Sequence, residues 1–297
     1  MNRTLLIKGA AKINIGLTVL KKRSDGYHDL ESVMQQISLA DSLLFESIEG
    51  EGFYLSCTEA ELSGPHNLIF RAAELLSSRF GSHQEGVKIT LHKNIPVEAG
   101  LAGGSSDAAA ALLGLNLFWE LGLTRQELLS CAAVLGSDVP FCLQGGTVLV
   151  RGRGEVIEKL PSLPFYWVVL ALPRQAGVSA AAAYRDFDRR CLGKPELGPL
   201  IDAVRSGSRE GLQKWMAGEF TNTLETALLP GLQQAGLLKK QLQSCGLNPA
   251  LSGSGPALFM FFDHYNSASA AARAVEETGA RSYLCWTEAE NREWMYV

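Results

Sequence analysis

Apolar and polar positions change period along the chain. Up to residue 57 they alternate in short stretches, which predicts strands over 5–7, 13–20, 32–39 and 42–48, punctuated by Gly9, Gly16, Gly26 and Asp41. From Asn67 the period turns helical. Leu68, Ala72, Leu75 and Leu76 share one face of a helix over 67–80 that Gly81 closes. A β run over 87–91 leads through a glycine-rich stretch into an alanine- and leucine-rich helix reaching about residue 121. Thr124 caps a further helix over 125–135, with Glu127 at the capping-box position. Paired strands are expected over 145–150 and 155–160, and a continuous apolar strand over 165–172. Helices follow to about residue 245, then a loop running into a strand over 250–262, a helix over 267–279 and a last strand over 282–287. Strands and helices mix in both halves, which predicts an α+β fold of two sandwiches. The proline-bearing segment 160–164 is the expected boundary, giving units of 1–160 and 161–297.

The glycine-rich stretch carries the strongest chemical signal. It reads Pro96, Val97, Glu98, Ala99, Gly100, Leu101, Ala102, Gly103, Gly104, Ser105, Ser106, Asp107. Pro96 stops a helix from forming across the entry. The glycines let backbone approach a ligand, and Ser105 and Ser106 are expected helix caps. A glycine loop opening into a helix N-terminus presents unpaired N–H groups and partial positive charge, which bind phosphate. Flexible strand-to-helix packing is the plain alternative. This is no P-loop, because no lysine follows Gly103 or Gly104, and Gly81 and Gly86 run into Val87. A dinucleotide fingerprint and the protein-kinase triplets are absent too.

Composition narrows the class. The chain has 297 residues, net charge −4 and pI about 5.8, which argues against nucleic acid as a main partner. No apolar run is long enough to cross a membrane, and the apolar start is too short for a signal peptide, so a cytoplasmic protein is expected. Six scattered cysteines without a C-x-x-C pair read as reduced thiols, and structural zinc is not expected.

Three further segments place polar groups where a plain scaffold would not. Lys12 and Asn14 share one strand face by the two-residue period, between small residues. Without partners, Lys12 would be a lysine reaching to the surface. Asp138 stands in Gly136-Ser137-Asp138-Val139-Pro140-Phe141, a tight turn before an apolar strand, with Pro140 holding the preceding backbone extended. By itself that is ordinary turn chemistry. Ser252, Gly253, Ser254 and Gly255 form a second glycine loop. Near the start, Gly26, Tyr27 and His28 set an aromatic ring beside an imidazole, in a hairpin turn or a base-recognition site.

Taken in order, A-K-I-N-I-G, P-V-E-A-G-L-A-G-G-S-S-D-A-A-A, G-S-D-V-P-F and L-S-G-S-G-P resemble the GHMP small-molecule kinase superfamily over nearly the whole chain. Gly26-Tyr27-His28, the full G-S-D-V-P-F and Gly152-Arg153-Gly154-Glu155 are similar to a branch whose substrate carries cytidine diphosphate. The resemblance implies two α+β domains with the active site in the cleft between them. It implies ATP-dependent phosphorylation of a 2-hydroxyl on a cytidine-diphosphate alcohol of the non-mevalonate isoprenoid route, with ATP and Mg²⁺. Asp138 matches the catalytic base and Lys12 its partner, and 96–106 matches the ATP phosphate loop. Asn67 and Lys93 match the adenosine side. Asn14, Tyr27, His28, Gly253, Ser254 and Gly255 match substrate positions. Tyr184 matches a second ring over the cytosine, although Ala180 stands where threonine is frequent. Ala102 replaces a common glycine, and alanine there requires φ below zero. No residue is assigned to the metal, and oligomeric state stays open. The alternatives are another kinase of the superfamily, acting on homoserine, mevalonate or a sugar, and a non-enzymatic nucleotide- or RNA-binding module.

Overall fold

The computed structural model describes residues 3–81, 86–174, 196–218, 222–228 and 233–289. Two long antiparallel strands open it, β1 (Thr4–Lys22) and β2 (His28–Ile48), where the alternation predicts four short ones. Gly9, Gly16 and Asp41 lie inside this pair and do not end it. Register shifts at Ala10/Lys12, Asn14/Gly16 and Val19/Lys21 take up the irregularity as bulges, which bend and twist a ribbon without terminating it.

The bent ribbon gives β2 two sets of neighbours. Its half from Ser42 to Ile48 pairs with β4 (Gly86–His92), and its half from Leu30 to Gln35 pairs with β5 (Thr147–Gly152). With β3 (Phe53–Cys57) and β6 (Val156–Lys159) the six-stranded sheet runs β3-β4-β2-β5-β6, and β1 pairs with β2. α1 (Leu68–Phe80), α2 (Gly103–Phe118) and α3 (Arg125–Leu135) pack together, and α2 lies against β1 and β2. Every residue of α2 from Ser106 to Leu112 is buried, as an apolar-all-round helix must be. The expected capping box of α3 forms: Thr124 and Glu127 exchange side-chain-to-backbone hydrogen bonds.

A second sheet holds β7 (Trp167–Leu172), β8 (Ala250–Leu251), β9 (Leu258–Phe262) and β10 (Arg281–Trp286), in the order β10-β7-β9-β8. Around it lie α5 (Gly198–Ser206), α6 (Arg209–Gly218), α7 (Thr223–Leu228), α8 (Gln233–Ser244) and α9 (Tyr265–Glu277). The two sheets separate along the chain at the proline-bearing stretch, but the apolar packing does not. Ile13 and Ile15 of β1 and Ile37 of β2 share one buried cluster with Leu197, Leu200, Trp215 and Phe259. The Trp215 indole N–H donates to the Ile15 carbonyl at 2.9 Å. The opening ribbon therefore belongs to both halves. Among the described residues no helix is long and apolar enough to cross a membrane.

Candidate active site

Between β4 and α2 the chain folds into the glycine loop. Asp41, fully buried in β2, fixes its entry by accepting the backbone N–H of Ile95 at 2.8 Å and that of Asn94. Within the loop Glu98, Gly100 and Ala102 take φ of 52°, 77° and 59°, while Ala99 and Leu101 between them do not. Alternation of this kind turns successive N–H groups toward one concavity, which suits an anion. The expectation that Ala102 keeps φ below zero fails. Its left-handed conformation reverses the chain into α2, at a cost of about 1–2 kcal/mol for a residue with a Cβ.

The expected serine caps fail as well. α2 begins at Gly103 with Ala102 at the cap and no side-chain cap bond. Ser106 is buried one turn further on, and its hydroxyl donates to the Ala10 carbonyl at 2.7 Å, pinning α2 to β1. Ser105 lines the cleft and Ser106 does not. The first turn of α2 thus keeps its N–H end open toward the cleft, as an anion site requires.

Lys12 and Asn14 do share a face. Lys12 Nζ donates to Asn14 Oδ1 at 2.8 Å and to the Gly100 carbonyl at 3.0 Å, and lies 3.6 Å from Asp138 Oδ2. The Lys12 side chain is 5% exposed and that of Asp138 32%, so a buried cation meets a carboxylate that still opens to the cleft. Asp138 precedes no strand directly. It is the N-terminal cap residue of α4 (Val139–Gln144), and Pro140 sits in the first helical turn, where its missing N–H costs nothing. The 252–255 loop docks on these groups. Ser252 Oγ donates to the Gly100 carbonyl at 3.1 Å, and Ala257 N–H to the Ala99 carbonyl at 3.1 Å. A Cβ at Gly100 would lie 2.4 Å from the Ser252 carbonyl oxygen, so only glycine fits there.

A cleft of about 990 Å³ joins these parts. Pro96 to Ser105, Lys12, Asn14, Asp138, Gly253 and Ser254 all line it, as do Asn67, Lys93, Tyr27 and His28. Gly255 does not line it; its N–H is bonded to the Ser252 carbonyl at 2.8 Å. Asn67 caps α1, accepting from Ile69 N–H and donating to the Leu62 carbonyl, so most of its amide is committed to the fold. Lys93 is held between Asp41 and Asp107, the latter at 2.8 Å. Burial works to lower the Lys93 pKa, but the Asp107 and Asp41 charges outweigh it and hold it above the ordinary lysine value. Burial pushes the Asp107 carboxyl up to about 7 against the pull of Lys93, and its Oδ1 has no hydrogen-bond partner among the described residues. Tyr27 is half exposed at the end of the β1–β2 turn, with the Arg153 guanidinium 5.2 Å above its ring, and His28 is buried at the start of β2. Tyr184 lies outside the described residues. Arg153 also lines the cleft, although the motif containing it suggests no role for it. Asp41 reads in the sequence only as strand punctuation.

Residues 67–146 match the GHMP kinases N terminal domain, and residues 200–281 match the GHMP kinases C terminal family. Over 289 residues the chain is 40% identical to 4-diphosphocytidyl-2-C-methyl-D-erythritol kinase of Listeria monocytogenes serotype 4a (strain HCC23), covering 96% of this chain and 97% of that one. The chain belongs to this family of GHMP kinases. The kinase of that name from Bacillus pumilus (strain SAFR-032) is 43% identical over 257 residues, 86% of this chain and 87% of that one. A crystal structure of 4-(cytidine 5'-diphospho)-2C-methyl-D-erythritol kinase superposes with TM-score 0.79 at 32% identity, covering 97% of this chain and 100% of that chain. Homoserine kinase from Cytophaga hutchinsonii, at 19% identity and TM-score 0.67, shares the fold; it covers 99% of this chain and 97% of that one. The family makes the protein an ATP-dependent small-molecule phosphotransferase with a two-domain GHMP kinase fold.

Proposed function

We propose that the protein transfers the γ-phosphoryl group of ATP to the 2-hydroxyl of 4-diphosphocytidyl-2-C-methyl-D-erythritol, a step of the non-mevalonate route to isoprenoid precursors. The observation that carries the chemistry is the Lys12–Asp138 pair, 3.6 Å apart, with Lys12 bonded to the Gly100 carbonyl of the phosphate loop. An alcohol is a poor nucleophile until its proton has somewhere to go. Asp138 accepts that proton as the hydroxyl oxygen bonds to the γ-phosphorus, and the bond from that phosphorus to the ADP oxygen breaks. Lys12 places its positive charge beside both Asp138 and the transferring group. The loop amides from Glu98 to Gly104 hold the phosphates, and Asn67 borders the adenosine. Tyr27 and His28 take the cytosine by stacking and hydrogen bonding, Arg153 lies beside them over the Tyr27 ring, and Asn14 borders the alcohol next to Lys12.

Mg²⁺ fits this site as a companion of the nucleotide and not as a resident ion. Among the described residues no three His, Cys, Asp or Glu side chains gather to hold a metal. Phosphate oxygens and water would supply most of its ligands, and Ser105 at the start of α2 would offer a protein hydroxyl. When bound, the ion neutralises phosphate charge. We further propose units of 1–160 and 161–297, with the cleft between them.

The test is ATP consumption by purified protein with Mg²⁺, comparing the cytidine-diphosphate alcohol with homoserine, mevalonate and galactose. Turnover with the first alone supports the substrate. Turnover with another keeps the kinase and discards this substrate.

A further inference from the structure

Asn222 precedes α7 and is buried. Its Oδ1 accepts the Leu224 N–H at 3.0 Å, which is the ordinary work of a helix cap. Serine, threonine or aspartate would do that equally well. The other end of the carboxamide is what sets it apart. Asn222 Nδ2 donates to two carbonyls, Leu251 at 2.8 Å and Gly253 at 2.9 Å. These carbonyls belong to the Leu251–Ser252 and Gly253–Ser254 peptides, so one amide group fixes the two peptide planes that bracket the Ser252–Gly253 step.

Ser252 passes the constraint on. Its Oγ donates to the Gly100 carbonyl at 3.1 Å, the same oxygen that takes Lys12 Nζ at 3.0 Å. The next residue, Gly253, has φ of 57°, and a Cβ there would lie 3.0 Å from Asn14 Oδ1 and 3.4 Å from Lys12 Nζ. The loop backbone therefore rests against the Lys12–Asn14 pair. The same helix start is also tied to the strand that carries the pair. Leu17 of β1 forms a parallel bridge with Asn222, and Thr223 Oγ1 accepts the Val19 N–H at 2.9 Å. Glu225, one turn on, accepts the Leu251 N–H at 2.8 Å while Lys239 holds its other oxygen.

From this chain of contacts we infer that Asn222 is a positioning residue for phosphoryl transfer. It holds the 252–255 loop so that Lys12 stays aimed at Asp138, and it touches neither substrate. The inference rests on the catalytic reading of Lys12 and Asp138. Losing the two donors leaves two buried carbonyls unpaired and frees the loop to shift. Displacement of a catalytic group by about 1 Å costs roughly a hundredfold in rate. The effect belongs in kcat and in KM for the alcohol, since Gly253 and Ser254 of the held loop line the cleft, while KM for ATP stays.

The experiment compares Asn222→Ser and Asn222→Asp, which keep an acceptor for the cap and lack the paired donors, with Thr223→Ala, which cuts a tie to β1 alone. Each is made in the wild type and in a Lys12→Ala background and assayed with radiolabelled ATP and the cytidine-diphosphate alcohol. The expected result is a kcat lowered by about 10–100-fold for both Asn222 variants, with KM for ATP within about threefold, and a much smaller kcat change for Thr223→Ala. In the Lys12→Ala background the Asn222 effect should shrink to nearly nothing, since coupled residues are not additive. Wild-type kcat in folded Asn222→Ser, or an equal loss in both backgrounds, overturns the positioning role. Wild-type turnover in Lys12→Ala overturns the catalytic reading instead.

Discussion

A buried ammonium must be paid for by its contacts, and Lys12 meets this condition through Asn14 Oδ1, the Gly100 carbonyl and Asp138. All of these groups line the cleft, but Asp138 has a side chain 32% exposed against 5% for Lys12, so removing it acts on chemistry more than on folding. Asp138→Ala should cut turnover by about two to four orders of magnitude, measured by ADP release. Wild-type turnover would reject Asp138 as the base. For His28→Ala the KM for the cytidylyl substrate should rise with little change for ATP; equal losses would mean a structural histidine. Lys93 is of another kind. It pairs with both the Asp41 and the Asp107 carboxylates, all three side chains being at most 5% exposed. Lys93→Met leaves two buried carboxylates without a cation and should cost about 3–5 kcal/mol in urea denaturation. An unchanged midpoint would show that the cluster does not bear on stability. The resemblance points to Lys93 as a nucleotide neighbour, and it does line the cleft, but its two carboxylate partners could not be read from spacing.

At the scale of elements, caps and periods were legible where they act locally. α1 lies where its apolar period puts it, with Asn67 serving as its cap, and α3 lies behind the Thr124 cap, because a cap and its amide are within three residues of each other. The start of α2 was not legible. Two serines offered good cap chemistry, but Ser106 is used by β1 and the chain reverses at Ala102 instead. Ala102→Gly therefore removes left-handed strain and should raise stability by about 1 kcal/mol, read as a higher thermal midpoint. A lowered midpoint would mean that the methyl packs better than the strain costs. The β1–β2 ribbon makes the same point. Its glycines look like strand ends, but Gly9 pairs with Asp41 and Gly16 with Val33, and register shifts beside them carry the ribbon on.

For the whole molecule, the cleft draws Lys12 from β1, the glycine loop from between β4 and α2, and Gly253 from the loop between β8 and β9. The apolar cluster around Ile13, Leu200 and Trp215 spans the same division. Thermal unfolding should therefore be one cooperative transition, and ATP at a hundred times its Kd should stabilise the protein by about 2.7 kcal/mol. Two separate transitions, with ATP moving one of them, would show that the halves unfold independently.

The amino-acid sequence by itself determined the α+β class, the helices that follow Asn67 and Thr124, the glycine loop that opens into α2 and the shared face of Lys12 and Asn14. Each follows from residues close enough along the chain to share a turn, a face or a loop. The tertiary structure decided that Lys12 meets Asp138 and Gly100, that Lys93 lies between Asp41 and Asp107, and that Asn222 grips the 252–255 loop. These contacts join residues from 14 positions apart (Lys93 and Asp107) to more than a hundred (Lys12 and Asp138). No local period encodes them, and they exist only once the ribbon, the helices and the two sheets have packed.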